Sequence, residues 1–275
     1  MNQASRADKG VRILVESAIM ISLATVLSVF KLAELPYGGS ITLASMLPIV
    51  ILAYRHGTLR GVAAGAVYGV IQQLLGLKTL SYFTTPLSIA AIILLDYAVA
   101  FAVIGLAGVF RRVLRRQSSA MLLGTFLACL LRYACHVISG ATVWAGLSIP
   151  TEAALVYSFI YNATYMIPET VVLLLAAAYL CEVLDFASEI PRRRPSEGDT
   201  RAQICYLLAA LLGVSALIFA TVSVFSKLQN AETGEFFAAG LMRVNWVSFS
   251  IVIGTLAVLS LLLLLLGRHS AKKRR

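Results

Sequence analysis

Eight apolar stretches separated by short polar breaks run through the chain, at roughly residues 11–31, 41–55, 59–77, 86–110, 119–144, 153–182, 203–226 and 245–267. A helix that crosses a membrane needs about 20 mostly apolar residues, so the pattern predicts eight helical spans. The second stretch is short and contains Pro48. A proline inside a span leaves a backbone group that neighbouring helices must satisfy, so this segment is expected to be re-entrant or to lean on its neighbours.

Lys and Arg cluster in alternate breaks. Eighteen of the twenty-three lie at one set of ends: Arg6, Lys9 and Arg12; Arg55 and Arg60; Arg111, Arg112, Arg115 and Arg116; Arg192, Arg193, Arg194 and Arg201; and the final five from Arg268. The opposite ends hold only Lys31, Lys78, Lys227 and Arg243, and Arg132 lies within a span. Positively charged loops stay cytoplasmic, which puts both termini inside and makes the span count even. The first span has the basic start and apolar run of a signal peptide. No small-x-small cleavage site follows Phe30, so it is expected to stay as a helix.

Residues 187–202, with Pro191, Pro195 and mixed charges, read as a cytoplasmic linker. It divides a six-span core at 1–186 from a two-span C-terminal hairpin with a basic tail at 203–275. The last helix ends in the featureless run Leu261 to Leu266, whereas the core carries Gly, Ser, Tyr and ionisable residues within its spans. Function is therefore sought in the core. The predicted class is an all-α integral membrane protein of a cell membrane.

Composition sharpens this reading. The chain is 59% hydrophobic and 13% charged, against about 25% charged in soluble domains, so most of it faces lipid bilayer. The net charge of +10 sits between apolar runs and not on a basic face, which speaks against nucleic acid. Cys129, Cys135, Cys181 and Cys205 show neither zinc spacing nor a CxxC pair and read as small hydrophobes, so no metal is expected.

Ionisable side chains within spans are costly and mark function by default. Asp96 sits in the run Ile92 to Tyr97 with no basic residue within a helical turn; the plainer alternative is a helix-packing hydrogen bond. Arg132 and His136, four apart, share one helix face, and Arg132 is a candidate counter-ion for Asp96 or for Glu169. Trp144, Tyr157, Tyr161, Asn162 and Tyr165 follow. Aromatics near span ends are often an interfacial belt. Joined to Asp96 and His136, they describe a pocket for a flat, polar, cationic molecule: a carboxylate offsets charge, aromatic faces attract cations, and Asn and Tyr read polar edges. Tyr157 and Asn162 are five residues apart, about 140° around a helix, so a shared ligand would sit at a helix end or a bend.

Five ordered stretches carry a resemblance: Leu35 to Pro48 (LPYGGSITLASMLP), Leu95 to Phe101 (LDYAVAF), Gly105 to Gly108 (GLAG), Arg132 to His136 (RYACH) and Tyr157 to Asn162 (YSFIYN). Over residues 10–186 the chain resembles the thiamine-specific S component, the substrate-binding subunit, of energy-coupling-factor transporters. That resemblance implies six helices enclosing a thiamine pocket near the outer face. It places the family's acidic-Tyr pair on Asp96 and Tyr97, its histidine on His136, its tryptophan on Trp144, and its Tyr and Asn on Tyr157 and Asn162. Two departures stand out. Asp96 is a methylene shorter than the Glu often found there, and a stacking Trp known in some members falls near Gly38 or Gly39, leaving Tyr37 or Tyr82 as candidate replacement. The resemblance also implies docking of a transmembrane coupling subunit on small residues of the first helix, here Ala18 and Ser22, with two ATPase subunits completing the transporter. The two C-terminal spans lie outside it.

The phosphate-cradling GxxxxGK[ST] loop is absent, as are HExxH and GxSxG, so the sequence predicts neither an ATPase of its own nor an enzyme. Asn162-Ala-Thr164 matches a glycosylation sequon but lies at a span. Three alternatives accompany the thiamine reading: an S component for a thiamine precursor or another vitamin, a stand-alone proton-coupled carrier or membrane enzyme with Asp96, His136 and Arg132 as relay, and a purely structural protein.

Overall fold

The computed structural model describes residues 3–35, 38–145, 154–188, 190–194, 200–228 and 238–273. In chain order these form α1 (Gln3–Val29), a hairpin of β1 (Lys31–Glu34) and β2 (Ser40–Thr42), α2 (Leu47–His56), α3 (Thr58–Leu75), α4 (Pro86–Arg112), α5 (Gln117–Thr142) and α6 (Ala154–Val183). The small pair β3 (Leu184–Asp185) and β4 (Arg192–Arg193) follows, then α7 (Thr200–Leu228) and α8 (Trp246–Lys273). All eight expected apolar stretches are helical over most of their length. Six of these helices, α1 and α4 to α8, are long and apolar enough to cross a membrane, and the protein is a multi-pass membrane protein.

Two of the eight predicted spans, the second and third, form helices α2 and α3 that are not among those six. Residues 41 and 42, placed in the second span, are extended and pair with β1, so α2 keeps only ten residues. Ten residues rise about 15 Å, half the hydrocarbon thickness of a bilayer. Pro48 lies in the first helical turn, where its missing N–H costs no helical hydrogen bond. The neighbours do the rest: Leu47 to Ala53 are all buried, with Ile49, Val50, Leu52 and Ala53 fully so. A helix apolar on every side is a core element, and α2 is the pillar of residues 1–193.

Glycines let the surrounding helices close on that pillar. Gly61, Gly65 and Gly69 lie along one face of α3. A Cβ on Gly65 would overlap the Phe101 carbonyl oxygen of α4, and one on Gly69 would lie 2.5 Å from the Tyr97 carbonyl oxygen. Gly105 of α4 meets the backbone of Gly61 and Val62, Gly108 meets the Ala53 carbonyl of α2, and Gly124 of α5 meets the Ala107 carbonyl. Small residues at such spacing allow backbones to touch and gain dispersion contact that side chains would block. Because the obstacle at Gly65 is backbone, Gly65→Leu is expected to cost about 3 kcal/mol or more. In thermal unfolding in detergent it should melt well below the parent, while Gly254→Leu, with open space around it, should melt near the parent.

At the far end from the hairpin, polar clasps join chain-distant segments. Arg55 donates through Nε to Glu16 Oε1 of α1 (2.5 Å) and through Nη1 to the carbonyls of Phe186 and Ser188 (both 3.2 Å). Gln117 donates to the Leu184 carbonyl (2.8 Å) and accepts from the Phe186 N–H (2.9 Å).

Contacts divide the chain into residues 1–193 and 194–275. In the second unit α7 and α8 form a helical pair in which Ser260 Oγ donates to the Ala209 carbonyl (3.0 Å), Gly267 lies against the Tyr206 ring, and Phe219 stacks on Phe249 with centroids 6.2 Å apart.

Candidate functional site

Helix α4 is irregular where its polar residues lie. It starts from a capped turn, with Thr85 Oγ1 accepting from the Ser88 N–H (3.2 Å) and Pro86 in the first turn. It then widens to a π-helix over Ile93–Val99 and tightens again from Val103. Wide turns of this kind recur at functional sites because they re-aim side chains. This one carries Asp96 and Tyr97.

Asp96 faces α5. Its Oδ1 lies 2.9 Å from His136 Nδ1, and its Oδ2 accepts from Ser139 Oγ (2.8 Å) and from Trp144 Nε1 (3.1 Å). An ionised carboxylate only accepts, so with Asp96 ionised the hydrogen of this contact sits on His136 Nδ1. Both the Asp96 and His136 side chains are 12% exposed. Such a carboxylate needs compensation for lost water, and three convergent donors from one helix and its C-terminal end supply it. His136 Nε2 is buried with no hydrogen-bond partner among the described residues.

Aromatic rings gather around this cluster. Trp144 lies edge-on to Phe83 (centroids 4.7 Å apart) and tilted to Tyr82 (6.0 Å). Tyr97 stacks on Phe101 and directs its hydroxyl at Thr79 Oγ1, 3.4 Å away. On α6, Asn162 is buried; its Nδ2 donates to the His136 carbonyl (3.3 Å) and the Ser158 carbonyl (2.9 Å), while its Oδ1 accepts from Tyr165 (2.7 Å). Tyr161 and Tyr165 lie against Gly39 of the hairpin, and the Gly39 N–H donates to the Tyr161 hydroxyl (3.3 Å). A Cβ on Gly39 would come within 3.0 Å of both rings.

The structure thus joins Asp96, His136, Trp144 and Tyr82 directly, and ties Asn162 to the cluster through the His136 backbone. Tyr157 is buried near the start of α6. Tyr37 lies outside the described residues. Ala18 and Ser22 are both exposed on α1. Of the two counter-ions open to Arg132, the structure selects Glu169: Arg132 Nη1 donates to Glu169 Oε2 (2.8 Å), and its guanidinium lies 4.7 Å from the Phe101 ring centroid. Glu169 Oε1 accepts from Thr42 (2.9 Å), so this buried pair binds β2 to α5 and α6.

Sequence reasoning missed Ser139, Phe83 and Thr42. Ser139 follows His136 by three and so shares its face, the one signal available. Phe83 reaches the site, and Thr42 the Arg132–Glu169 pair, through chain turns that periodicity does not encode.

This carboxylate-centred, aromatic-walled site lies within residues 14–187, which match the model of the family described as Thiamine transporter protein (Thia_YuaJ). The chain belongs to this family. Two curated relatives share the description thiamine transporter ThiT. That of Bacillus subtilis is 33% identical over 192 residues, covering 66% of this chain and 92% of its own length. That of Lacticaseibacillus paracasei is 25% identical over 186 residues, covering 62% and 87%. A solved ThiT structure from Listeria monocytogenes superposes with a TM-score of 0.51 at 24% identity, covering 63% of this chain and 94% of that one, and bears on the fold. The family match ends at residue 187, before α7 and α8 begin.

Proposed function

We propose that residues 1–193 capture thiamine from outside the cell, and that the chain serves as the substrate-binding subunit of an energy-coupling-factor transporter. The observation that carries this reading is the Asp96 carboxylate, held by His136, Ser139 and Trp144 among aromatic rings. Thiamine joins an aminopyrimidine to a cationic thiazolium. A preorganised carboxylate suits the amine and offsets the charge, and the Tyr82, Trp144 and Tyr97 rings suit flat faces and cations. Tyr157 and Asn162 complete the proposed ligand set from α6. The names of the relatives support the same substrate.

The relay alternative is weaker on geometry: Arg132 is committed to Glu169, and the donors to Asp96 do not include it. In the proposed arrangement both termini are cytoplasmic, and the exposed Ala18 and Ser22 of α1 form the face on which the coupling subunit docks. Release inside then depends on that subunit and two ATPase subunits.

Titration of purified protein with thiamine, followed by Trp fluorescence and calorimetry, tests the ligand. Saturable binding lost in His136→Ala supports it, and absence of heat and of a fluorescence response in folded protein overturns it. Partnering has its own measurement. The chain alone in liposomes should bind thiamine without accumulating it, and uptake should appear only with coupling and ATPase subunits and ATP; accumulation by the single chain would favour a stand-alone carrier.

A further inference from the structure

Ser139 is fully buried, so it offers no surface to a ligand, yet it holds two parts of the site. Its Oγ donates to Asp96 Oδ2 (2.8 Å). Its backbone carbonyl accepts from the N–H of Val143 (2.7 Å) and of Trp144 (3.2 Å) where α5 ends. Trp144 in turn donates its indole N–H to the same Asp96 Oδ2. Ser139, Trp144 and Asp96 therefore close a ring of hydrogen bonds that begins and ends on one residue. Beside it, Gly140 is packed so tightly on Ser158 of α6 that a Cβ there would overlap the Ser158 hydroxyl, which fixes the height of this turn of α5.

A carboxylate oxygen has two lone-pair directions. On Oδ2 both are taken, by Ser139 and Trp144. On Oδ1 one is taken, by His136, and among the described residues one is left. The orientation of that remaining lone pair is set by the plane of the carboxylate, and the plane is set by which donors hold Oδ2. The indole alone is a weak anchor, because Trp144 stands at a helix end and its ring rests on Phe83 and Tyr82 from the α3–α4 connection. The hydroxyl on the helix body is the stiff one.

We infer that Ser139 is the positioning residue of this pocket: by fixing the Asp96 carboxylate plane and the Trp144 indole together, it aims the open Oδ1 lone pair at the ligand's amine and so sets preference for amine-bearing ligands. This rests on the thiamine reading for the ligand, but not for the ring of hydrogen bonds.

Three measurements test it. In Ser139→Ala, thiamine affinity should fall about tenfold, while affinity for an analogue with hydrogen in place of the pyrimidine amino group should change less than about twofold, since a misaimed lone pair hurts only the ligand that uses it. In an Asp96→Asn background the same substitution should add less than about twofold, because the acceptor it orients is already altered. Equal losses for both ligands, no loss for thiamine, or full additivity with Asp96→Asn would each overturn the proposal, as they would mark Ser139 as packing alone. The third measurement needs no ligand. In Trp246→Phe protein, which leaves Trp144 as sole tryptophan, Ser139→Ala should raise acrylamide quenching about twofold, and Ser139→Thr, which keeps the hydroxyl, should restore it. Unchanged quenching overturns the proposal even if thiamine fails to bind, and failure of the parent to bind thiamine with quenching as expected overturns the ligand reading alone.

Discussion

Asp96→Ala is expected to weaken thiamine binding by at least about thirtyfold in titration calorimetry. Truncating one member of a buried, hydrogen-bonded charged set costs about 2–5 kcal/mol, and each 1.4 kcal/mol is about tenfold in affinity. The loss has two parts. The negative charge that offsets the thiazolium disappears, and His136 Nδ1, Ser139 Oγ and Trp144 Nε1 lose the acceptor on which they converge. Asp96→Asn separates the parts: it keeps shape and one acceptor oxygen but turns an N–H₂ toward at least one of the three donors. Its affinity should fall between those of the parent and the alanine variant. Binding within about threefold of the parent in Asp96→Ala would remove this carboxylate from the ligand set.

Glu169→Ala is the second large effect, and it falls on stability. The Arg132 and Glu169 side chains are 9% and 4% exposed, and Arg132 Nε has no hydrogen-bond partner among the described residues. Removing Glu169 leaves a buried guanidinium without its carboxylate, beside the Phe101 ring, and frees Thr42 of β2 from α6. Breaking a buried pair on one side costs about 3–5 kcal/mol, whereas replacing both members by apolar residues of similar volume is often near neutral. The single variant should therefore unfold far more readily in detergent, and Arg132→Met with Glu169→Leu should recover most of the loss. Equal instability in single and double variants would show that the pair specifies structure beyond its own charge balance.

These two carboxylates show how far the sequence could be read. Asp96 stood out as an ionisable residue within a span with no basic residue within a turn of it, and chemistry and resemblance together placed it in one pocket with His136, but their direct contact was not foreseen. Periodicity gave no means of choosing between Asp96 and Glu169 as partner of Arg132, since that choice depends on how α4, α5 and α6 rotate against one another. The π-helix over Ile93–Val99 is equally silent in sequence: its apolar run reads like the rest of the helix, and only the backbone hydrogen bonds show the wider turn. Six of the eight predicted spans were legible, because lipid requires long apolar runs with internally satisfied backbones. The second departed most at residues 41 and 42, where an apolar run enters a hairpin. Burial makes a strand and a helix look alike over so short a length.

The glycine contacts also bear on how lineages of this fold drift. Where Gly65, Gly105 and Gly124 touch neighbouring backbone, no larger residue substitutes without moving a helix, while exposed positions such as Val67, Val70 and Leu74 accept any apolar side chain of similar reach. Such packing constrains the spacing of small residues more firmly than the identity of the exposed ones. A relative at 24% identity that still superposes over 94% of its length fits that balance. Remote members should be found more readily by the interval between small residues than by overall composition.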